Sequence, residues 1–188
     1  MNEFWCKKGH FNLDQANFFK EMVLKNKPKY VLETGFCTGR SASSILTNTN
    51  TIKKMISIDI NFDTIKPESR IYKNLLENNF LNFHTIENNS RHVLNDSFLN
   101  KEFPNGIDWF TVDGDHSYAG CLFDLRSVVN HINTNGIIII DDYKSGPPNG
   151  CTIPEVTKAC DDFYNENKNL EKTEWNCKGK GFCIFKKK

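Results

Sequence analysis

The chain has almost no net charge, no long apolar run and no paired-cysteine motif, and each absence removes a class of function. Lys and Arg number 24 against 23 Asp and Glu, a net charge of +1, so no global field draws the protein to nucleic acid or to an anionic membrane. No stretch approaches the roughly 20 apolar residues of a membrane span. Residues Met1 to Lys8 lack the apolar centre of a secretory signal, so a cytoplasmic location is expected. Without that signal the glycosylation-type triplets Asn88-Asn89-Ser90 and Asn95-Asp96-Ser97 carry no weight. The seven cysteines are an odd number with no Cys-x-x-Cys pair. Cys37, Cys121 and Cys160 read as small buried hydrophobes, and Cys177 and Cys183 are expected to be reduced although a hairpin bridge between them is geometrically possible. Lys186-Lys187-Lys188 reads as a solvated end. No repeat, low-complexity linker or break in composition divides the 188 residues, which suit a single α/β domain over 1–188. His10, His84, His92 and His131 are scattered without ligand spacing.

Strand and helix patterns alternate along the chain. Leu13, Ala16, Phe19, Met22 and Val23 recur at helical spacing over residues 13 to 26. A strand at 30 to 33 follows Pro28, and a helix begins after Gly39. Strands are expected at 54 to 60, 82 to 87, 107 to 112 and 136 to 140. Helices are expected at 67 to 78, 91 to 99, 118 to 132 and 153 to 167. Two last strands near 172–177 and 181–186 are joined by the turn Lys178-Gly179-Lys180-Gly181. The expected fold is α/β: a Rossmann-like, doubly wound, mainly parallel seven-stranded sheet with a C-terminal antiparallel hairpin. Such sheets bind ligands at the carboxyl ends of their strands, and the polar clusters of this chain all fall there.

Two of those clusters are acidic. Ile107 to Val112 runs into Asp113-Gly114-Asp115-His116-Ser117-Tyr118, and Gly136 with four isoleucines runs into Asp141-Asp142. Adjacent strands lie about 5 Å apart, so Asp113, Asp141 and Asp142 can converge. Unpaired, they would repel and take up protons; a divalent cation removes the conflict, and oxygen ligands favour Mg²⁺, Mn²⁺ or Ca²⁺. The competing reading is that Asp141 only caps a helix or binds backbone amides. His116, three residues past Asp113, suits a general base, with Asp115 as its rival. A third cluster, Glu33-x-Gly35-x-x-x-Gly39-x-Ser41, joins a strand to a helix. It is not the Gly-x-Gly-x-x-Gly of dinucleotide sites, because Cys37 stands at the second glycine. Glu33 would repel a pyrophosphate and suits a ligand bearing an ammonium group. Asp59, about twenty residues on, suits a ribose diol. The plainer alternative is that Glu33 and Asp59 merely finish their strands.

On these residues the chain resembles the class I S-adenosylmethionine-dependent methyltransferases, most closely the small branch of catechol-type and macrolide-sugar O-methyltransferases. The most specific match is Val112 to Tyr118, with Asp124 and then Asp141-Asp142. The resemblance implies that Glu33, Gly35, Gly39 and Ser41 surround the methionine moiety of S-adenosylmethionine. Asp59 would hold the ribose, Asn89 and Ser90 would lie beside the adenine, and Asp113 would also face the cofactor. Relatives have Gly-Asp-Ser where this chain has Asn88-Asn89-Ser90. It also implies Mg²⁺ at Asp113, Asp141 and Asp142, and catechol-type relatives place a lysine at the position of His116.

Few additions to the fold are present to define an acceptor. Tyr143 to Gly150 can form a wall or lid, and Tyr118 and Tyr143 are candidates to stack on a ring. Trp109 reads as core, while Trp5 and Trp175 are pocket-edge candidates. A small hydroxylated acceptor fits: a sugar, a glycosylated metabolite or a catechol-like compound, with neither nucleic acid nor membrane as partner, and self-association possible. Three readings compete: a divalent-metal-dependent O-methyltransferase, a metal-independent methyltransferase of the same fold, and a non-catalytic S-adenosylmethionine-binding domain.

Overall fold

The computed structural model of the chain describes residues 10–62, 68–146 and 153–188, grouped in two compact units, Met1–Asn89 and Ser90–Lys188. Trp5 and the segment from Pro147 to Gly150, singled out above, lie outside the described residues.

In the first unit, α1 (Leu13–Asn26) opens with a reciprocal cap: Asn12 Oδ1 accepts the Gln15 N–H at 2.9 Å and Gln15 Oε1 accepts the Asn12 N–H at 2.8 Å. Such a cap stabilises a helix by about 1 kcal/mol. Ala16, Phe19 and Val23 are buried with Gln15. Leu13, expected on that face, is 58% exposed, because at 3.6 residues per turn it sits about 100° round the helix from the centre of the buried set. The strands β1 (Tyr30–Thr34), β2 (Lys54–Asp59) and β3 (Phe83–Glu87) pair in parallel in the order β3-β2-β1. Their helices are α2 (Arg40–Leu46) and α3 (Glu68–Asn79). Val31, Leu32, Met55, Ile56 and Ile58 are buried, each contributing about 1.5–3 kcal/mol. Phe36 packs on Phe62 and Phe83, with ring centroids 5.5 and 6.1 Å apart.

In the second unit the single helix expected at 91 to 99 is two: α4 (Ser90–Val93) and α5 (Asp96–Glu102). Asn95 causes the break, turning extended so that its side chain caps α5 by accepting the Phe98 N–H at 3.0 Å. Then follow β4 (Ile107–Val112), α6 (Tyr118–Val128), a 3₁₀ turn over Val129–His131, β5 (Ile132–Ile140), α7 (Pro154–Glu166), β6 (Leu170–Cys177) and β7 (Lys180–Lys187). The order is β4-β5-β7-β6, in which β7 is antiparallel to both neighbours. β5 starts before the expected Gly136 because it bulges. From Ile107↔Ile132 to Trp109↔Ile137, β4 advances two residues while β5 advances five. Asn135, at φ 65°, makes the bend, and a side chain at Gly136 would strike the Asn133 carbonyl. Trp109 is fully buried and donates Nε1–H to Thr111 Oγ1 at 2.8 Å. The last turn is shorter than read from sequence. Cys177 pairs with Lys180, leaving Lys178 and Gly179, both with positive φ as a two-residue hairpin requires. Cys37, Cys121, Cys160, Cys177 and Cys183 are free thiols. Among the described residues no helix is long and apolar enough to cross a membrane.

Candidate active site

The turn after β1 is built around two carboxylates. Glu33, fully buried, accepts the Ser41 hydroxyl on Oε1 and the Ser57 hydroxyl on Oε2, each at 2.5 Å, so it ties β1 to α2 and β2. Asp59, at the end of β2, accepts the N–H groups of Phe36 and Cys37 on Oδ2, both at 2.8 Å, and that of Asn61 on Oδ1 at 3.1 Å. These bonds fold residues 35 to 39 against the end of β2, and Gly35 N–H reaches the Ile58 carbonyl at 2.8 Å. Gly35 and Gly39 have φ of 89° and 69°. A Cβ at Gly39 would lie 2.5 Å from the Phe36 ring, so both conformation and space demand glycine there. Glu33, Gly35, Gly39, Ser41 and Asp59 thus meet at one turn. Asn89 lies past β3, its N–H held by Asn88 Oδ1 at 2.8 Å, and Ser90 begins α4; both are partly exposed.

In the second unit β4 and β5 are neighbours in parallel register, Val112 opposite Ile140, and the Asp141 N–H continues the ladder to the Val112 carbonyl at 3.0 Å. That register sets Asp113 and the Asp141-Asp142 pair side by side. The loop from Asp113 to Ser117 is shaped by its own polar groups. Asp115 Oδ1 accepts the Ser117 N–H at 2.9 Å, and Ser117 Oγ accepts the Gly120 N–H at 3.0 Å, capping α6. This delivers His116 between two carboxylates: Nε2 is 3.2 Å from Asp113 Oδ1 and Nδ1 is 3.7 Å from Asp142 Oδ2. Asp113, His116 and Asp142 each offer one ligand atom within 4.8 Å of the others. Asp141 is outside that set; its Oδ1 accepts the N–H of Asp142 at 2.7 Å. Asp142 has a left-handed backbone, φ 60°, sparsely populated by non-glycine residues.

The electrostatics follow from burial and crowding. The Asp113 hydrogen bond, opposed by burial, raises the His116 pKa to about 9, with Asp113, Asp142 and Asp141 adding attraction. In this arrangement His116 therefore carries its proton at neutral pH, donating from Nε2 to Asp113 while Nδ1 stays in ion-pair range of Asp142. Burial, Asp113 and Asp142 push the Asp141 carboxyl well above the usual range. Burial also lifts Asp113, against the pull of His116. Asp115 moves the other way: burial is outweighed by the Ser117 donors and the Arg91 guanidinium, 3.9 Å away, so its pKa is lowered.

Two strands that end side by side in acids, with an imidazolium between, sit in a sequence region that matches a known family: residues 32–143 match the profile described as methyltransferase domain. The chain belongs to the methyltransferase-domain family. An uncharacterized protein of Acanthamoeba polyphaga mimivirus is 30% identical over 162 residues, covering 82% of this chain and 68% of that one. Among solved structures, an O-methyltransferase from Bacillus cereus in complex with SAH superposes with a TM-score of 0.75 at 14% identity, covering 95% of this chain and 83% of that one. An O-methyltransferase from Streptomyces achromogenes involved in tomaymycin synthesis, in complex with SAM, gives 0.73 at 11% identity, covering 94% and 81%. These likenesses show the fold: α/β, Rossmann-like, a mainly parallel seven-stranded sheet with a C-terminal antiparallel hairpin. By family the protein is a methyltransferase, and by fold it has the Rossmann-like architecture of those solved structures.

The methyltransferase carries polar groups at its acidic rim that the sequence reading passed over. Lys180, read only as part of a turn, brings Nζ to 3.4 Å from Asp142 Oδ1. Arg91 approaches Asp115 and lies 5.9 Å from the Phe123 ring centroid. The glycines flanking Lys180 were the available signal; Arg91 had none. Tyr143 is packed into the second unit. Its ring is buried and its hydroxyl donates within hydrogen-bond distance of Asp161 and Glu174, at 2.9 and 3.1 Å. Tyr118 donates to Asp162 at 2.9 Å, and Trp175 stacks on Phe182 with centroids 5.1 Å apart.

Proposed function

We propose that this methyltransferase methylates a hydroxyl of a small acceptor such as a sugar, a glycosylated metabolite or a catechol-like compound, with a divalent cation at the acidic rim. The observation that carries the reading is the meeting of Asp113, His116 and Asp142 at the ends of adjacent strands. A neutral hydroxyl is a poor nucleophile, and groups that orient it and accept its proton are what this reaction needs.

S-adenosylmethionine, when bound, supplies a methyl group on positively charged sulfur. Asp59 fits its ribose: Oδ1 takes the Asn61 N–H and keeps a lone pair for a hydroxyl. Glu33, whose oxygens each take one hydroxyl, adds negative charge suited to an ammonium. Asn89 and Ser90 are assigned to the adenine, and Gly35 and Gly39 to the close backbone approach.

The acidic rim fits a hard cation in charge and reach. Asp113 and Asp142 offer two carboxylates, with Asp141 alongside, and Mg²⁺, Mn²⁺ or Ca²⁺ would supply Lewis acidity to a hydroxyl there. His116, freed from its carboxylate partners, has a nitrogen to take the hydroxyl proton; Asp115, ionised and exposed, is the second candidate. As the C–O bond forms and the C–S bond breaks, charge on oxygen and sulfur is lost together, so groups that exclude water from the rim favour the step.

The test is calorimetry with S-adenosylhomocysteine, followed by methyl transfer to catechol and to simple glycosides with and without chelator. Expected are cofactor-product binding, and turnover that chelator abolishes and Mg²⁺ restores. Turnover indifferent to chelator would move the protein to the metal-independent reading, which the presence of two cationic side chains beside the acids favours. S-adenosylhomocysteine binding without transfer to any hydroxyl would sink O-methylation.

A further inference from the structure

We infer that Lys180 is a tethered cation that competes with a divalent ion for Asp142, so that the acidic rim binds metal only as Lys180 withdraws. The inference deepens the function proposed above and rests on it for the presence of an ion.

The geometry is built rather than incidental. Lys180 is the first residue of β7, between Gly179 at φ 78° and Gly181. Gly181 is pressed on the segment just after Asp142: a Cβ there would lie 2.0 Å from the Tyr143 carbonyl oxygen, and its N–H is held by Ser145 Oγ at 2.9 Å. On the other side Gly146 N–H donates to the Gly179 carbonyl at 2.8 Å, and a Cβ at Gly179 would meet that same Gly146 at 2.7 Å. Backbone contact on both flanks thus fixes where the lysine leaves the chain. Its ammonium reaches Asp142 Oδ1 at 3.4 Å, with the Asp142 side chain only 9% exposed.

His116 takes the other oxygen of the same carboxylate, Nδ1 lying 3.7 Å from Oδ2. Both oxygens of Asp142 are therefore met by positive side chains. An ion drawn to Asp142 must share Oδ1 with an ammonium, and two cations on one poorly solvated oxygen repel strongly. Lysine suits this role better than arginine would, since a flexible stem with a compact charge can swing away without breaking a planar two-point contact.

The experiment uses Mn²⁺ as probe, followed by loss of its free electron-spin-resonance signal on titration into the full chain. Lys180→Met is expected to bind Mn²⁺ roughly tenfold tighter than wild type, about 1.4 kcal/mol of repulsion removed, and Lys180→Arg to bind it no tighter than wild type. Lys180→Gln serves where the methionine variant fails to fold. Affinity in Lys180→Met and Lys180→Gln equal to wild type overturns the inference. So does Mn²⁺ binding that survives Asp142→Asn unchanged, or wild type and variants alike that take up no Mn²⁺ at millimolar concentration. S-adenosylhomocysteine calorimetry on the same samples stands apart: its failure in wild type would strike the methyltransferase site and leave the Mn²⁺ comparison to decide on Lys180.

Discussion

Gly120 leaves the space that Asp115 fills: a Cβ on Gly120 would lie 2.1 Å from Asp115 Cγ. A helix glycine normally costs about 1 kcal/mol relative to alanine, so its presence in the first turn of α6 answers to the carboxylate packed on it. Gly120→Ala is expected to expel Asp115 and break its bond to the Ser117 N–H. The lost hydrogen bond, about 1 kcal/mol, is offset by the gain in helix propensity. Urea unfolding should therefore move by no more than about 1 kcal/mol. Methyl transfer should fall in parallel with Asp115→Asn. A large stability loss would show that the helix itself cannot accept the methyl group.

Asp59 builds the turn that it is proposed to share with the ribose. Asp59→Ala strands the N–H groups of Phe36 and Cys37, which should destabilise the protein by about 2–4 kcal/mol. Asp59→Asn keeps one carbonyl acceptor and should cost about 1 kcal/mol, while weakening S-adenosylhomocysteine by about 1–3 kcal/mol. Unfolding curves and calorimetry separate the two effects. Unchanged affinity in Asp59→Asn would leave turn-building as the whole role of this carboxylate.

How much of this was legible in the chain depends on whether the signal was local. The strand endings at Glu33, Asp59, Asp113 and Asp141 could be read because an apolar run stops at an acid, and the register of β4 against β5 then follows from the fold. The break between α4 and α5 was missed because Asn95 carries two opposite local preferences, and its cap on Phe98 decides between them. The bulge before Gly136 and the depth of Tyr143 depend on partners far along the chain. Lys180 was the costliest omission: 38 residues separate it from Asp142, and only the pairing of β7 with β5 closes that distance. The acids were read as a cation site because His116, three residues from Asp113, was taken as a base and Lys180 lies far along the chain, whereas the structure puts both side chains among them as positive charges.

His116 should titrate far above an ordinary imidazole. Asp113 and the other rim acids hold its folded pKa at about 9, against about 6.5 when unfolded. A raised pKa means that this contact stabilises fully below about pH 6.5 and loses its contribution as pH rises through about 9. Nuclear magnetic resonance of the imidazole in chelated protein should show that midpoint, and Asp113→Asn should lower it. Added Mg²⁺ should lower it as well, as a cation draws the carboxylates away from the ring. A midpoint near 6.5 in chelated protein would mean that the ring does not sit between Asp113 and Asp142 in solution.

The assignment of the base turns on the same proton. An imidazolium paired with two carboxylates cannot accept a proton, so His116 serves as base only in the state where those acids are otherwise occupied. Asp115 is ionised in every state, but its lowered pKa makes it a weaker base. The two demands predict different rates. With catechol as acceptor and saturating cofactor, His116→Gln should slow single turnover by about 10²–10⁴ while S-adenosylhomocysteine affinity stays within twofold, if the imidazole takes the proton. The pH–rate profile should then lose its imidazole limb. Asp115→Asn should slow the reaction less, through the loosened loop between Asp113 and Ser117. The reverse order, a collapse in Asp115→Asn with near-normal rates in His116→Gln, makes Asp115 the base and reduces His116 to a counter-charge for Asp113 and Asp142. That outcome would also explain why the ring is so firmly protonated, since a histidine that only neutralises acids gains from a high pKa, and one that must accept a proton in each turnover does not.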